Sequence, residues 1–413
     1  MTIERSIQQS GRLEFSKKSL LESEALTRGV VEIITQGGLK KRLAEGKPLR
    51  VKYGIDPTMQ SAHIGHAVPI RKLRQFQELG HTAVFIIGDY TARIGDPTGR
   101  SEARKQLSAE DIRKNVDGYL DQAYRILDKN KTEIHLQSEW YGDFSLEQLI
   151  RLMSKTTYGQ IMAHETFTKR VREGRVLGFH EMLYPLLQAY DSVAVKADIE
   201  LGGADQRFNF VLTRDIQKVH GQRPEEVILS RYLPGIDGQE KMSKSLGNTI
   251  DLLDSAEKMY FKTMSIADDL IPVYLELATD LPIDKIKELL AEWKNGNIHP
   301  LDLKKQLARS ISSLYHSEQD VKTVERKFEL QVQRKEVPDD VLVLNVPEPS
   351  FDLADFLVAN GIVSSKGQVK RLITQKGIKV NGKPIDHSHI NISGQEIVLR
   401  VGKKQLVKIR LAE

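Results

Sequence analysis

Residues 51–88 read VKYGIDPTMQSAHIGHAVPIRKLRQFQELGHTAVFIIG, and this stretch decides the fold class. Val51 to Ile55 has the short apolar pattern of a buried strand, and Ala83 to Ile87 has the same pattern. Between them, Gly65 to Leu79 carries apolar side chains at helical spacing. A strand, a helix and a strand at this spacing predict a right-handed crossover and a parallel sheet.

Two polar motifs follow strands of this predicted sheet. His63-Ile-Gly-His66 comes after the first strand, and Gly202-Gly-Ala-Asp-Gln206 continues a further apolar strand, Ile199 to Leu201. Ligands of open parallel sheets bind at the carboxyl ends of the strands. We therefore expect both motifs to face one ligand site.

The remainder of the chain predicts two smaller domains. Residues 255–329 show a helical pattern with charged faces, and the prolines between Val337 and Ser350 indicate a linker. Beyond it, two short helical patterns precede an Asn381-Gly382 turn, which is a strong hairpin signal. We expect an α/β fold with a Rossmann-like parallel-sheet catalytic domain, an α-helical domain and a small α+β domain. The predicted bounds are 1–235 for the catalytic domain, 236–336 for a lysine-rich loop and the helical domain, 337–349 for the linker, and 350–413 for the last domain.

The excess of positive over negative residues in the chain lies in its last segment. The 413 residues carry a net charge of +5, while residues 350–413 alone hold 11 Lys and Arg against 5 Asp and Glu. A compact basic module favours a polyanion such as RNA over a merely solvated surface. The candidate RNA-binding residues are the cations around the predicted helices and hairpin: Lys366, Lys370, Arg371, Lys376 and Lys379.

The composition excludes several classes of protein. The chain contains no cysteine, which excludes disulfides and thiolate metal sites. No apolar run reaches the length of a membrane span, and residues 1–20 lack the apolar core of a secretory signal. We expect a cytoplasmic protein that has no membrane partner.

The histidine motif is suited to binding a polyphosphate. On the first turn of a helix, His63 and His66 share one face, and the helix N-terminus favours anions. Gly65 would let a base or a ribose approach the backbone closely, and Thr58 would lie at the same pocket mouth. Taken alone, the motif is also compatible with a two-histidine metal half-site or with surface histidines.

A second motif, Lys241-Met-Ser-Lys-Ser245, supplies cations. Two lysines on a mobile loop can follow a leaving pyrophosphate and supply charge where it grows in the transition state. By itself such a run is usually a solvent-exposed turn. The histidine motif upstream makes a nucleotide α-phosphate the predicted centre of the reaction.

The order of these motifs resembles the bacterial tyrosyl-tRNA synthetase family of class I aminoacyl-tRNA synthetases, with a C-terminal S4-like RNA-binding domain. The resemblance covers most of the chain from about Val51 onward. The histidine and lysine motifs are common to class I synthetases, whereas LQAYD and GG-x-DQ are specific to this family. The matching segments are YGIDPT at 53–58, HIGH at 63–66, GDPTGR at 95–100, LLQAYD at 186–191, GGADQ at 202–206 and KMSKS at 241–245.

The resemblance implies which residues bind the amino acid. Asp191 would accept a hydrogen bond from the hydroxyl of the substrate tyrosine, and Asp56, with Gly54 nearby, would lie at the floor of the adenylate pocket. Tyr184, Gln188 and Asp191 are spaced to share one helical face, although helix packing or a surface position is the alternative for each. The residues that would grip the α-ammonium and its neighbouring groups are Tyr184, Gln188, Asp96 and Gln206.

The resemblance also implies which residues bind ATP. His63, His66 and Thr58 would surround the phosphates, with Gly65 against the nucleotide. Asp205, beside Gly203, would contact the ribose. The cations that would bind the pyrophosphate are Lys241, Lys244 and, from a mobile loop, Arg100 and Arg104.

The implied enzyme is an ATP-dependent tyrosine–tRNA ligase. Tyrosine would attack the α-phosphate of ATP to give tyrosyl-adenylate and pyrophosphate, and the tyrosyl group would pass to the 3′ end of tRNA(Tyr). ATP would be a substrate, Mg²⁺ would accompany it without a metal site in the protein, and the family is homodimeric. The alternatives are a tryptophan-specific synthetase, which LQAYD and the S4-like tail disfavour, and an inactive synthetase-like RNA-binding protein, which the complete histidine and lysine motifs disfavour.

The chain departs from the family at Lys52. Many members have a tyrosine at this position that also contacts the substrate hydroxyl, whereas here a tyrosine, Tyr53, follows one position later. The source of a second contact to the hydroxyl is therefore left open by the sequence.

Overall fold

The computed structural model describes residues 24–59, 61–98, 107–330, 342–392, 396–402 and 405–411. The chain divides into two compact units, one ending at Val321 and one beginning at Lys322. Each unit has its own apolar core. Within the described ranges, no helix combines the length and the apolar character that a bilayer crossing requires.

The first unit is built around a six-stranded sheet with the strand order β1-β6-β5-β2-β3-β4. Neighbouring strands are parallel except for β1, which pairs antiparallel with β6. The predicted βαβ unit is confirmed, because β2 and β3 pair in parallel from Arg50–Thr82 to Ile55–Ile87. The strands are β1 (Val30–Ile34), β2 (Arg50–Ile55), β3 (Thr82–Ile87), β4 (Thr132–Leu136), β5 (Ile199–Gly203) and β6 (Glu226–Ser230).

The strand order creates a crevice beside β2. The chain proceeds outward from β2 through β3 to β4 and then returns to place β5 on the other side of β2. Connections from the carboxyl ends of β2 and β5 therefore leave in opposite directions, and such a switch point is where ligands bind in open α/β sheets.

Helices cover the sheet, and several begin at the caps that the sequence indicates. The Ser108 and Ser145 side chains each accept a hydrogen bond from the backbone three residues later, which satisfies an amide that the helix leaves unpaired. The helices are α1 (Gln36–Ala44), α2 (Ile64–Glu78), α3 (Thr91–Ile94), α4 (Ala109–Ala123), α5 (Ser138–Tyr141), α6 (Leu146–Met153), α7 (Tyr158–Met162), α8 (Glu165–Arg172), α9 (Tyr184–Val195) and α10 (Arg207–Val219).

A helical region follows the sheet, as the sequence predicts. One apolar cluster joins its buried residues, such as Tyr274 and Leu303, to Ile64 at the start of α2 and to Met242 of the lysine-rich loop. This shared core fixes the loop and the start of α2 against the same helices. The helices are α11 (Ala256–Met264), α12 (Ile271–Ala278), α13 (Ile283–Lys294), α14 (Pro300–Ser312) and α15 (Glu318–Phe328).

After the end of α15, the described part of the second unit contains two short helices and two small sheets. The predicted hairpin is confirmed, since β9 and β10 pair across Asn381 and Gly382, which both have positive φ, as a type I′ turn requires. The elements are β7 (Val343–Val346), β8 (Ser350–Asp352), α16 (Leu353–Ala359), α17 (Lys366–Thr374), β9 (Ile378–Val380), β10 (Lys383–Pro384), β11 (His389–Asn391), β12 (Glu396–Val401) and β13 (Gln405–Leu411).

One strand lies where the sequence indicates a linker. Val343–Val346 pairs in parallel with β13 and forms the edge of the sheet ordered β10-β9-β12-β13-β7. The prolines on either side dominate the local pattern, but Val343 to Val346 contains none and can donate its backbone amides to a sheet. The chain therefore enters the C-terminal sheet before Ser350.

The edge of the large sheet is fastened by Glu226, a buried carboxylate on β6. It accepts hydrogen bonds from the backbone amide of Thr35 at 2.7 Å and from the Thr35 hydroxyl at 2.9 Å. The same hydroxyl accepts from the amide of Gly38 in the first turn of α1. A Cβ on Gly38 would lie 2.2 Å from a Glu226 carboxylate oxygen, whereas a Cβ on Gly37 would meet nothing within 4 Å.

These two adjacent glycines predict opposite effects on stability. Gly37→Ala should raise the free energy of unfolding by about 0.4–1 kcal/mol, because alanine restricts the unfolded chain and strains nothing in α1. Gly38→Ala should lower it by about 1–3 kcal/mol, because the new methyl group must displace Glu226 or the cap. Denaturant unfolding of both variants measures the difference, and equal effects would show that Glu226 does not constrain this helix start.

Candidate active site

A cavity of about 750 Å³ opens at the carboxyl ends of β2 and β5, at the switch point of the sheet. Every catalytic, amino-acid and ATP candidate that the structure describes lines this cavity. Arg100 and Arg104 lie outside the described residues. The lining candidates are Gly54, Asp56, Thr58, His63, Gly65, His66, Asp96, Tyr184, Gln188, Asp191, Gly203, Asp205, Gln206, Lys241 and Lys244.

The two histidines form a stacked pair at the start of α2. His63 occupies the N-cap position of the helix, and the centroid of its ring lies 3.8 Å from that of His66, with an interplanar angle of 18°. A Cβ on Gly65 would lie 2.9 Å from Nδ1 of His63. The glycine that the sequence assigns to the approach of a ligand therefore also makes room for the first imidazole.

Both imidazoles are neutral at physiological pH. Burial and, to a lesser extent, the nearby ammonium of Lys244 lower the pKa of His63 to about 4. Burial also lowers the pKa of His66 well below its ordinary value, with smaller effects from His63 and Lys244. The pair can therefore offer hydrogen bonds to a phosphate, while positive charge must come from elsewhere in the cavity.

The lysine-rich loop supplies that charge. The Lys241 ammonium lies 3.2 Å from Oδ2 of Asp205 and is 55% exposed. Lys244 donates to the Ser61 hydroxyl and lies 3.6 Å from Oδ2 of Asp251. Between the two lysines, Met242 is buried and its amide donates to the carbonyl of Leu233 at 3.2 Å.

Backbone hydrogen bonds join the lysine-rich loop to the histidines. The amide of Ile64 donates to the carbonyl of Ile250 at 2.9 Å, and the amide of Leu252 donates to the carbonyl of Ala62 at 3.0 Å. The segment after the loop thus pairs antiparallel with the segment that carries His63. The histidine and lysine motifs, far apart in sequence, are therefore held together by backbone hydrogen bonds.

A polar network occupies the wall that is formed by β2, α3 and α9. Asp56 accepts a hydrogen bond from the Thr91 hydroxyl at 2.6 Å and from the Tyr184 hydroxyl at 2.9 Å. A Cβ on Gly88 would lie 2.3 Å from the same carboxylate. The glycine at the end of β3 is therefore required by the position of Asp56.

A second polar network connects Asp96 with α9 and α10. Gln206 donates to Oδ2 of Asp96 at 2.8 Å, and Asn209 donates to the side-chain oxygens of both Gln188 and Gln206 at 2.9 Å. Asn209 is not among the site residues predicted from the sequence. Its position one helical turn after Gln206 is the signal that could have identified it.

Asp191 lies at the inner end of the cavity and is 3% exposed. Oδ2 accepts a hydrogen bond from the Gln137 amide at 2.7 Å, and Oδ1 accepts from the Trp140 indole at 3.1 Å. Burial raises the pKa of Asp191 to about 7, although Lys52 and the Gln137 hydrogen bond oppose this change. Gln137 and Trp140 follow β4, and no motif in the sequence marks them.

Lys52 also reaches this end of the cavity. Its ammonium lies 2.7 Å from Oε1 of Glu200 and 2.6 Å from the hydroxyl of Ser192, and all three residues are buried. Tyr53, the next residue, lines the same cavity. The position where the sequence departs from the family thus holds a buried ion pair.

Two family models match the chain. The model described as "tRNA synthetases class I (W and Y)" matches residues 44–332, and the model described as "Tyrosine--tRNA ligase SYY-like C-terminal domain" matches residues 330–409. The two matches together cover residues 44–409.

Known proteins agree with these models. The chain is 44% identical over 397 residues to the tyrosine–tRNA ligase of Carboxydothermus hydrogenoformans, covering 94% of this chain and 97% of that protein. It is 42% identical over 386 residues to the tyrosine–tRNA ligase of Dehalococcoides mccartyi, covering 93% and 97%. The fold is similar to the crystal structure of tyrosyl-tRNA synthetase complexed with L-tyrosine from Archaeoglobus fulgidus, with a TM-score of 0.59, 24% identity, and coverage of 74% of this chain and 99% of that chain.

Proposed function

We propose how the cavity works in a chain that belongs to the class I aminoacyl-tRNA synthetases and, among them, to the tyrosine–tRNA ligases. The enzyme activates L-tyrosine with ATP, giving tyrosyl-adenylate and pyrophosphate, and then transfers the tyrosyl group to the 3′ end of tRNA(Tyr). We set aside the tryptophan alternative for two reasons. The model that matches the C-terminal domain is described as that of a tyrosine–tRNA ligase, and the relatives reported above carry the same name.

The inner end of the cavity is proposed to bind the tyrosine side chain. Gln137 and Trp140 hold the Asp191 carboxylate in place, and each of its oxygens keeps a lone pair for the substrate hydroxyl. The Asp96 carboxylate would pair with the α-ammonium, together with Tyr184, Gln188 and Gln206. Asp56 and Gly54 would complete the floor beneath the adenylate.

The outer half of the cavity is proposed to bind ATP. The neutral imidazoles of His63 and His66, with Thr58, would hydrogen-bond the phosphates, and Asp205 beside Gly203 would contact the ribose. Gly65 would lie against the nucleotide. The residues proposed to neutralise the departing pyrophosphate are Lys241 and Lys244 and, from the family resemblance, Arg100 and Arg104.

Catalysis in this arrangement is positioning and electrostatic stabilisation. A carboxylate oxygen of tyrosine forms a bond to the α-phosphorus, and the bond from that phosphorus to the pyrophosphate oxygen breaks. The reaction uses no nucleophilic side chain. Lysine cations therefore act where negative charge grows, on the leaving group.

Mg²⁺ is proposed to arrive with the ATP phosphates. Among the residues that the structure describes, no three or more histidine and acidic side chains are grouped to hold a metal ion. Mg²⁺ commonly keeps several waters and binds substrate phosphates directly.

We further propose that the enzyme acts in the cytoplasm, which suits a chain without cysteine.

A homodimer is proposed from an exposed apolar surface on the first unit. Six large apolar side chains between Leu146 and Phe179 face solvent, and Val176 and Phe179 are 84% and 71% exposed. Exposed apolar side chains that are concentrated in one segment of the chain favour a protein interface, and a second copy of this chain would cover them. The six residues are Leu146, Ile150, Tyr158, Val171, Val176 and Phe179.

The C-terminal domain is proposed to hold tRNA through exposed cations around α17 and β9. Lys370, Arg371, Lys376 and Lys379 are all exposed, and Lys366 is exposed while paired with Asp355. Exposed lysine and arginine side chains bind the phosphates of an RNA backbone mainly through their charge. This domain would raise the affinity for tRNA and leave amino-acid activation to the first unit.

Substituting Asp191 tests the tyrosine site. Asp191→Asn should lower kcat/KM for tyrosine at least about 100-fold in pyrophosphate exchange, because the hydroxyl loses its charged acceptor. Phenylalanine, which has no hydroxyl, is the internal control and should change by less than about threefold. An unchanged ratio of the two substrates would place the hydroxyl contact elsewhere.

Neutralising four cations tests the RNA site. Lys370, Arg371, Lys376 and Lys379 changed together to glutamine should lower kcat/KM for tRNA charging at least about tenfold and flatten its salt dependence. Pyrophosphate exchange should stay unchanged. Lys408→Gln with Arg410→Gln on β13 is the control in the same domain, and an equal loss in this control would mean that charge alone, and not its position, matters.

Breaking the apolar surface tests the dimer. Val176→Asp with Phe179→Asp should shift the enzyme from dimer to monomer in sedimentation experiments, because burying two carboxylates in an interface is unfavourable. Val219→Asp, at a half-exposed apolar position at the end of α10, is the matched control. A wild-type chain that sediments as a monomer at micromolar concentration would contradict the proposal.

A further inference from the structure

A cluster of buried ionisable groups lies behind Asp191. Lys52 on β2 and Glu200 on β5 are each 1% exposed and form an ion pair, and Ser192 of α9 accepts a hydrogen bond from the same ammonium. Glu225, just before β6, is also fully buried. Lys52, Asp191 and Glu200 all line the inner end of the cavity. Burying this many charges is costly unless they act on each other.

The charges in this cluster act on Asp191 with opposite signs. Lys52 favours the ionised carboxylate, Glu200 disfavours it, and the effect of Lys52 is the larger of the two. Tyr141 of α5 also faces Asp191, and burial raises the pKa of its hydroxyl well above the usual value, so it is neutral. Burial and the neighbouring Glu200 raise the pKa of Glu225 well above its ordinary value. Lys52 is thus the cation that offsets the burial of Asp191.

We propose that Lys52 is a positioning residue for tyrosine recognition, whose buried charge keeps Asp191 able to accept a hydrogen bond from the substrate hydroxyl. The inference rests on the role proposed above for Asp191. The inference gives a function to Lys52, which stands where many members of the family have a tyrosine. Here a charge held by Glu200 and Ser192 acts through Asp191.

The ionised state of Asp191 matters because of what each state offers. An ionised carboxylate only accepts hydrogen bonds, whereas a protonated one also donates. Gln137 and Trp140 already donate to the two oxygens of Asp191, so both neighbours favour the ionised form. A proton on Asp191 would compete with one of these donors or with the substrate hydroxyl, and tyrosine would bind more weakly.

The pH dependence of kcat/KM for tyrosine in pyrophosphate exchange tests the inference with the full-length enzyme. In the wild type, this parameter should fall as the pH drops through about 7, where Asp191 takes up a proton. Lys52→Met should move the midpoint of this fall upward by about one pH unit or more, because the favourable charge is lost. Glu200→Gln should move it downward, because the unfavourable charge is lost and Lys52 remains.

Two further variants separate charge from packing. Lys52→Arg should keep the wild-type midpoint within about 0.5 pH unit, because the charge is retained. Lys52→Met combined with Glu200→Gln removes both members of the ion pair, so neither is left buried without its partner, and the variant should fold. Its midpoint should still rise, because Lys52 acts more strongly than Glu200 on Asp191. A purely structural role for the pair predicts lower activity at every pH with a fixed midpoint, and that result would overturn the inference.

Failure of the inference is distinguishable from failure of the Asp191 assignment. Asp191→Asn should abolish the acid limb for tyrosine, and the wild-type profile for phenylalanine should lack it. If Asp191→Asn keeps the limb, the assignment of Asp191 is wrong. If Asp191→Asn removes it and the Lys52 and Glu200 variants leave the midpoint in place, Asp191 is correctly assigned and Lys52 does not act through it.

Discussion

The position of β2 between two parallel neighbours is the constraint on which the active site depends. Because β3 and β5 both pair with β2, the chain must leave the carboxyl ends of these strands in opposite directions, and a crevice results. Asp56 follows β2, Gly88 follows β3 and Gly203 ends β5. The parallel pairing of these strands brings their carboxyl ends to the same edge of the sheet, so the residues that follow them line one cavity.

Much of this arrangement could be predicted from local signals. The βαβ unit, the serine caps and the Asn381-Gly382 hairpin each rest on residues close together in sequence, and the two phosphate motifs have fixed spacing. What could not be predicted depends on distant contacts. Gln137 and Trp140 are more than 50 residues from Asp191 in the sequence, yet both donate hydrogen bonds to it. Lys52 and Glu200 form an ion pair because β2 and β5 are adjacent in the sheet, and the sequence does not show this adjacency. The strand Val343–Val346 could not be predicted because its pairing partners on β13 lie 65 residues later in the chain.

The two ends of the cavity differ in how they handle charge. At the inner end, Asp191, Lys52 and Glu200 are buried, so each charge is felt strongly by the others and a change in one alters the state of the next. At the outer end, His63 and His66 are buried but neutral, and the lysines that carry charge reach solvent. A fixed, preorganised inner end suits the recognition of one hydroxyl. The outer end must release a highly charged product.

The Lys241–Asp205 contact has a consequence for the order of events. Asp205 is the proposed ribose ligand, and Lys241 lies against the same carboxylate. Exposed ion pairs of this kind contribute only about 0–1 kcal/mol, so a nucleotide can displace the lysine at little cost. Since Met242 remains anchored in the core, the displaced ammonium can swing only about that fixed point. Binding of a ribose at Asp205, as proposed, would thereby free the Lys241 ammonium to contact the phosphates.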